Sequence, residues 1–546
     1  MPIENPNINK MRQIFKLPTL IWIFFLTLFF SCQPDQNKDV IPDIIPKPNL
    51  ILNSKGYFKS GTDLTISYSD PNIIPVLQTF ADQLKSKIKV ELTEKPEGDI
   101  VVNYDNKGLP GIEDYLLNIE SKKISLQSGS ERGIFYGLQS LRQLLLFSAS
   151  NKDRIKIRCC SITDSPRFAW RGIMIDESRH FFGMNKIKQL LDIMSLHKLN
   201  VFHWHLTDSP GWRIEIKQYP KLTEIGGIGN HHDPDAPATY YTQQEIKEII
   251  NYATERFIDV IPEIDMPGHA TAANRAYPEY SGGGSEKYPD FTFNPGKEET
   301  YTYLTNIIKE IAVLFPSKYF HTGGDEVNFG NHYWPQIPEV KKLMKRENIT
   351  DLKGVETYFN KRIADSILSL NKELIGWDEI VDTGLDPKTS TAMWWRHDKT
   401  SQLINALENN YPVVLCPRIP LYFDFVQYET HTVGRRSKNG ICSLEAVYIF
   451  PADTLPGFIK YNDQILGIQA NVWTEQIQNE DRFDFMIYPR ISALAESAWT
   501  KDKNKSYADF MERLKPMLLY FDEQDIKYFN PFHPELSPEP EGINKI

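Results

Sequence analysis

Trp170-Arg-Gly-Ile-Met-Ile-Asp176 is followed by Asn185-Lys-Ile-Lys-Gln-Leu-Leu-Asp-Ile-Met-Ser-Leu-His197 and then by Val201-Phe-His-Trp-His-Leu206. The outer runs are short and largely apolar, as buried strands are. The middle one repeats Ile187, Leu190, Leu191 and Met194 at helical spacing, so the unit reads strand, amphipathic helix, strand. Working outward, further strand-like runs fall at 260–264, 319–322, 373–376, 391–394, 413–416 and 465–471, and striped helical segments at 242–256, 299–314 and 352–370.

Eight strands alternating with helices are what a closed (β/α)8 TIM barrel requires, which places this α/β barrel at 164–546. The later units are less regular, and 422–456 reads as a long loop or lid. Residues 50–163 mix strand-like runs at 64–68, 88–92, 100–104 and 124–127 with helical patterns at 74–85 and 133–146, the pattern of a smaller α+β domain. No acid–histidine cluster or glycine-rich phosphate loop stands out there, so its expected role is structural.

Lys10, Arg12 and Lys16 precede an apolar run from Leu17 to Phe30 that ends at Ser31-Cys32. The run is too short to span a bilayer as a helix and reads as a signal peptide over 1–32. It resembles a bacterial lipoprotein signal, although Phe29 and Phe30 depart from the usual pattern. That resemblance implies acylation at Cys32 and a lipid-anchored protein of the cell envelope, at the outer membrane and facing either the periplasm or the exterior; plain secretion is the alternative. The polar, proline-containing stretch 33–49 reads as a flexible tether. The other cysteines, Cys159, Cys160, Cys416 and Cys442, are too few for a disulfide scaffold and wrongly spaced for zinc, so buried thiols are expected. A net charge of -10 excludes nucleic acid as the main partner.

Barrel chemistry collects just past the strand ends. Arg179 and His180 follow the first strand, Asp208 the second, Asp265 and His269 the third, Asp325 and Glu326 the fourth, and Trp377, Asp378 and Glu379 the fifth. Trp394 and Trp395 follow the sixth, Tyr422 and Asp424 the seventh, and Trp473 and Glu475 the eighth. Helix capping explains some of the acids but none of the indoles, which suit the partly apolar face of a sugar ring. In His321-Thr-Gly-Gly-Asp325-Glu326, two glycines deliver two adjacent carboxylates past a strand end. A proton donor with a second acid is the equipment of glycoside cleavage.

Together, Arg171-Gly-Ile-Met-Ile-Asp-Glu-Ser-Arg179-His180, His203-Trp-His-Leu-Thr-Asp208, Gly211-Trp-Arg213, Pro262-Glu-Ile-Asp265-Met-Pro-Gly-His269, His321-Thr-Gly-Gly-Asp325-Glu326, Gly376-Trp377-Asp378-Glu379 and Gln469-Ala-Asn-Val-Trp473-Thr-Glu475 resemble glycoside hydrolase family 20, the β-N-acetylhexosaminidases. The preceding α+β domain resembles the accessory domain that usually comes before this barrel. The resemblance implies a glycan substrate ending in N-acetylhexosamine and no cofactor or metal. It also implies a retaining, substrate-assisted mechanism, in which the sugar's 2-acetamido oxygen attacks the anomeric carbon to form an oxazolinium ion.

By that similarity Asp325 would orient the acetamido group and Glu326 would protonate the leaving oxygen. Arg179, Asp208 and Glu475 would bind hydroxyls, and Tyr422 and Asp424 the acetamido carbonyl and a hydroxyl. Trp377, Trp395 and Trp473 would wall the pocket, with His269, Asp265 and His321 in support. Two departures stand out: Ser209-Pro210 after Asp208, and the absence from 425–443 of a tryptophan common in the family.

Two other readings compete. His203 and His205 with His269 and Asp325 could be ligands of a metal hydrolase, against which strand alternation is expected to turn His203 and His205 away from Asp208. A sugar-binding module on a degenerate barrel is the other, and retention of both Asp325 and Glu326 argues against it.

Overall fold

The computed structural model describes residues 42–105, 107–148, 154–437 and 440–542. The signal segment and Cys32 lie outside them. No described helix is long and apolar enough to cross a membrane.

The first domain is a seven-stranded mixed sheet. Its strands are β1 (Leu50–Ser60), β2 (Asp63–Tyr68), β3 (Lys89–Thr93), β4 (Ile100–Tyr104), β5 (Tyr115–Ile119), β6 (Ile124–Ser128) and β7 (Ile155–Asp164), in the order β1-β7-β5-β6-β4-β2-β3. Burial alternates strictly along β5 and β6, as in strands with one well-covered face. Strands β1, β5 and β7 go beyond the runs read from sequence. β1 is an edge strand with few buried side chains, so it carries little apolar signal.

The barrel closes from β8 (Trp170–Asp176), β9 (Val201–His205), β10 (Asp259–Glu263), β11 (Tyr319–His321), β12 (Glu373–Trp377), β13 (Ser390–Trp394), β14 (Val413–Leu415) and β15 (Ile465–Val472), all parallel, with β15 pairing back onto β8. Every residue of β8, β9, β13 and β14 is buried, as parallel strands covered on both faces must be. Helices Gly183–Leu196, Gln243–Thr254, Glu298–Leu314 and Leu352–Leu368 pack around the strands. The eight-stranded barrel after a smaller α+β domain matches the expectation from sequence. The expected loop at 422–456 contains the helix Leu444–Ile449 and is pinned by buried Arg490, which donates to the carbonyls of Phe423 (2.6 Å), Phe425 (2.9 Å) and Cys442 (2.9 Å).

Polar bonds join the two domains. The buried Asp164 carboxylate accepts from Tyr115 Oη (2.7 Å) and Trp499 Nε1 (2.9 Å) and pairs with Lys198 Nζ (3.2 Å). Arg171 makes a two-pronged contact with Glu113 at 2.9 and 3.2 Å.

One expectation needs correction: the flexible tether does not extend to residue 49. Ile44 and Ile45 are 0% and 1% exposed. The Ile45 N–H donates to Gln143 (2.8 Å), the Lys47 N–H to Glu496 (2.9 Å), and Arg513 donates to the Ile44 carbonyl (2.7 Å). Two consecutive isoleucines next to prolines are apolar enough to dock, and composition alone hid that.

Candidate active site

Strand β11 ends at His321, and Gly323 and Gly324 then take φ values of +65° and +92°. A Cβ on Gly323 would sit 1.9 Å from Asp265 Oδ1, so a side chain is excluded there. The turn presents Asp325, buried, and Glu326, whose side chain is 35% exposed. Glu326 and His269 both occupy the left-handed region, at φ +53° and +52°, a strain of order 1 kcal/mol each that is held at the site by its surroundings.

A chain of alternating charges leads to this pair from the barrel interior. Glu263, fully buried, accepts from His205 Nδ1 (2.6 Å) and Trp377 Nε1 (3.0 Å), and lies 3.0 Å from His203 Nε2 and 3.1 Å from His321 Nδ1. The other His205 nitrogen reaches Asp208 Oδ2 at 3.2 Å. Asp208 in turn pairs with Arg179 Nη2 (2.8 Å) and His269 Nδ1 (3.2 Å). His269 Nε2 faces Asp325 Oδ2 at 3.6 Å and Glu326 Oε2 at 3.8 Å.

The charges follow from these contacts. Burial disfavours a charged His205, but Glu263 and Asp208 hold it as an imidazolium. Burial and the adjacent His321 push His203 down to about 4. Against its own burial, His269 is carried up to about 9 by Asp208 and Asp325. Asp208 stays well below the usual carboxylate range despite burial, through Arg179 and His269. Asp265 and Asp325 are both raised, by burial and, for Asp325, by Asp265 itself, with His269 opposing.

The indoles form one wall. Trp377 and Trp473 lie 5.8 Å apart, Trp473 and Tyr422 6.2 Å, and Tyr422 and Trp395 6.4 Å at 12° between planes. Arg179 lies over Trp473 at 4.9 Å. Arg435 pairs with Asp424 (2.9 Å) and Glu475 (2.5 Å). Burial pushes the Asp424 carboxyl up to about 7, whereas Arg435 and Arg179 outweigh burial at Glu475 and draw it down to about 2. Among the described residues Asp325 Oδ1, His269 Nε2, Asp424 Oδ1 and Glu475 Oε2 are buried without a hydrogen-bond partner. Each such atom costs about 1–3 kcal/mol until something bonds to it, so together they mark a pocket for a polyhydroxylated ligand.

The structure thus brings together Arg179, Asp208, Asp265, His269, Asp325, Glu326, Trp377, Trp395, Tyr422, Asp424, Trp473 and Glu475, while His321 lies beneath them on Glu263. One expectation is overturned: His205 does not turn away from Asp208 but bonds to it, because the chain leaves β9 after His205 and curls inward. Three groupings are compact enough to share a cation: His203–Glu263–His321, Asp208–Asp265–His269 and His269–Asp325–Glu326. In each, histidines and carboxylates already face one another at ion-pair distances, as an alternating charge chain requires.

Sequence reasoning gave no role to Glu263, although an acid inside an apolar strand needs a cationic partner and three strand histidines were on view. It missed Arg435, and it named Glu379 past the fifth strand without a role; Glu379 accepts from Trp395 Nε1 (3.0 Å) and fixes that wall. Burial and the neighbouring Asp378 raise Glu379 to about 8.

An acid pair at the mouth of an indole-lined barrel pocket defines a glycosidase. The chain belongs to glycosyl hydrolase family 20: residues 168–502 match that family's catalytic domain and 41–165 its domain 2. It is 35% identical to a beta-hexosaminidase of Porphyromonas gingivalis over 91% of this chain and 65% of that protein, and 33% identical to one from Vibrio furnissii over 83% and 76%. Among solved structures it is similar to the exo beta-N-acetylglucosaminidase of Vibrio harveyi in complex with N-acetylglucosamine, with a TM-score of 0.83 at 31% identity over 90% of this chain and 79% of that one. A beta-N-acetylhexosaminidase from Bacteroides fragilis aligns with a TM-score of 0.78 at 31% identity, over 89% and 96%.

Proposed function

We propose that this chain is a β-N-acetylhexosaminidase that removes terminal N-acetylglucosamine or N-acetylgalactosamine by substrate-assisted retention. The observation that carries the reading is the adjacent pair Asp325 and Glu326, in different surroundings and both facing His269. Asp325, buried and hemmed in by Asp265, has an unpartnered oxygen suited to the acetamido N–H. The amide's oxygen then attacks the anomeric carbon, and positive charge building on the ring nitrogen compensates the Asp325 carboxylate. Glu326, more exposed, stands where a leaving group departs; it gives its proton to the glycosidic oxygen and later takes one from water. The aromatic wall holds the ring and excludes solvent from the intermediate.

Aryl glycosides test this. Replacing the 2-acetamido group by hydroxyl should abolish turnover. Asp325→Asn and Glu326→Gln should each lower kcat by about 10²–10⁴-fold, the Glu326 loss shrinking as the aryl leaving group becomes more acidic. Full turnover in both variants would sink the reading. Activity should survive exhaustive EDTA treatment; loss on chelation restored by a divalent ion would favour the metal-hydrolase alternative.

The same proposal places the protein in the cell envelope, exported by the signal segment and acylated at Cys32. Metabolic labelling with a fatty-acid analogue, with Cys32→Ala expected to release unlabelled protein from the membrane fraction, tests it.

A further inference from the structure

We infer that Arg435 is a specificity-determining positioning residue, which braces Asp424 and Glu475 as paired acceptors for two hydroxyls at the non-reducing end of the bound sugar and so restricts the pocket to terminal residues with both hydroxyls free. This rests on the hexosaminidase reading above.

The guanidinium spans the two carboxylates, with Nε 2.9 Å from Asp424 Oδ2 and Nη2 2.5 Å from Glu475 Oε1. Among the described residues Asp424 Oδ1, Asp424 Oδ2 and Glu475 Oε2 are buried without a hydrogen-bond partner, and Asp424 Oδ2 has only its ion-pair contact with Arg435. A rigid planar fork gripping one oxygen of each acid fixes where the other two point. Arg435 is itself held by the backbone. Its N–H donates to the Asp424 carbonyl (3.0 Å), and its carbonyl accepts from Val426 (3.0 Å), so the loop folds back onto the acid it braces. Gly434 makes the approach possible: it sits at φ +128°, and a Cβ there would lie 3.0 Å from the Asp424 carbonyl oxygen. The bonds from buried Arg490 to Phe423, Phe425 and Cys442 anchor both ends of the stretch.

Without Arg435, Asp424 and Glu475 would face each other with Arg490 on the Asp424 side and Arg179 and His231 on the Glu475 side, none of which bridges the two acids. Asp424, already pushed up to about 7 by burial, would take up a proton and present a donor where an acceptor stood. Arg396 pairs with Asp378 and Glu379 instead.

The test uses the full chain with Arg435→Met, which keeps the aliphatic stem, and Arg435→Lys. Substrates are an aryl β-N-acetylglucosaminide and its 4-deoxy and 6-deoxy analogues. On the parent glycoside Arg435→Met should lower kcat/KM about 10- to 100-fold, mainly through KM, as expected for lost hydrogen bonds to charged groups, with Lys recovering part. On the deoxy sugars the same variant should lose far less, because the braced acceptor then has no hydroxyl to meet. An equal loss on parent and deoxy substrates, or an unchanged KM, overturns the inference. Should Arg435→Met not fold, Arg435→Lys carries the same comparison. Calorimetric binding of free N-acetylglucosamine reads Arg435 independently of turnover. A wild type that binds this sugar in an Arg435-dependent way but cleaves no glycoside would therefore overturn the catalytic reading and leave this one standing.

Discussion

His269 sits among three carboxylates, and its protonation is the most delicate charge at the site. Asp208 is the larger of the two charges carrying it to about 9. Asp208→Asn should therefore let it fall toward its ordinary value near 6.5, and the alkaline limb of the kcat/KM profile should move down by a unit or more. An unmoved limb would mean that the imidazolium is not needed. The sign for stability follows the same shift. A histidine whose pKa is raised on folding stabilises the fold fully below about pH 6.5, by about 3 kcal/mol at most, and loses that contribution as pH climbs through 9. Denaturant midpoints of wild type and His269→Gln should thus converge between pH 6 and pH 9.5. The rim acids and indoles are legible in sequence because each follows its strand at a similar register. Arg435 is not, since nothing local distinguishes it from Arg436; only the return of the chain onto Asp424 gives it a role.

Among the elements, the turn after β11 is where sequence and geometry agree most closely. Two glycines before two acids announce a tight approach, and Gly323 shows its object, the Asp265 carboxylate. Gly323→Ala combines a disfavoured φ with a collision against a buried acid. It should cost about 1–3 kcal/mol, or roughly 1–3 °C in melting temperature, and should depress kcat by displacing Asp325. A variant with wild-type melting and turnover would show that the turn can relax. The eight barrel strands are readable as short apolar runs because both their faces are buried. Edge strand β1 and the helix at Leu444–Ile449 are harder, since their order comes from partners distant in sequence such as β7 and Arg490.

At the scale of the molecule, the two domains are joined by buried polar groups that neither could leave unpaired. Asp164→Ala would strand Lys198, whose ammonium burial has already pushed down to about 8, together with Tyr115 and Trp499. Removing one partner of such a buried pair should cost about 3–5 kcal/mol and, in a chain this long, lower the melting temperature by roughly 3–5 °C, read by calorimetry. Retention of the wild-type transition would mean that water enters the junction freely. The docked segment at Ile44 and Ile45 has a consequence for reach. Under the proposed acylation, the stretch from Cys32 to Pro42 could span at most about 35 Å. Were it so anchored, the barrel would graze only glycans that come to the membrane surface, and polymers farther out would first have to be trimmed by something else.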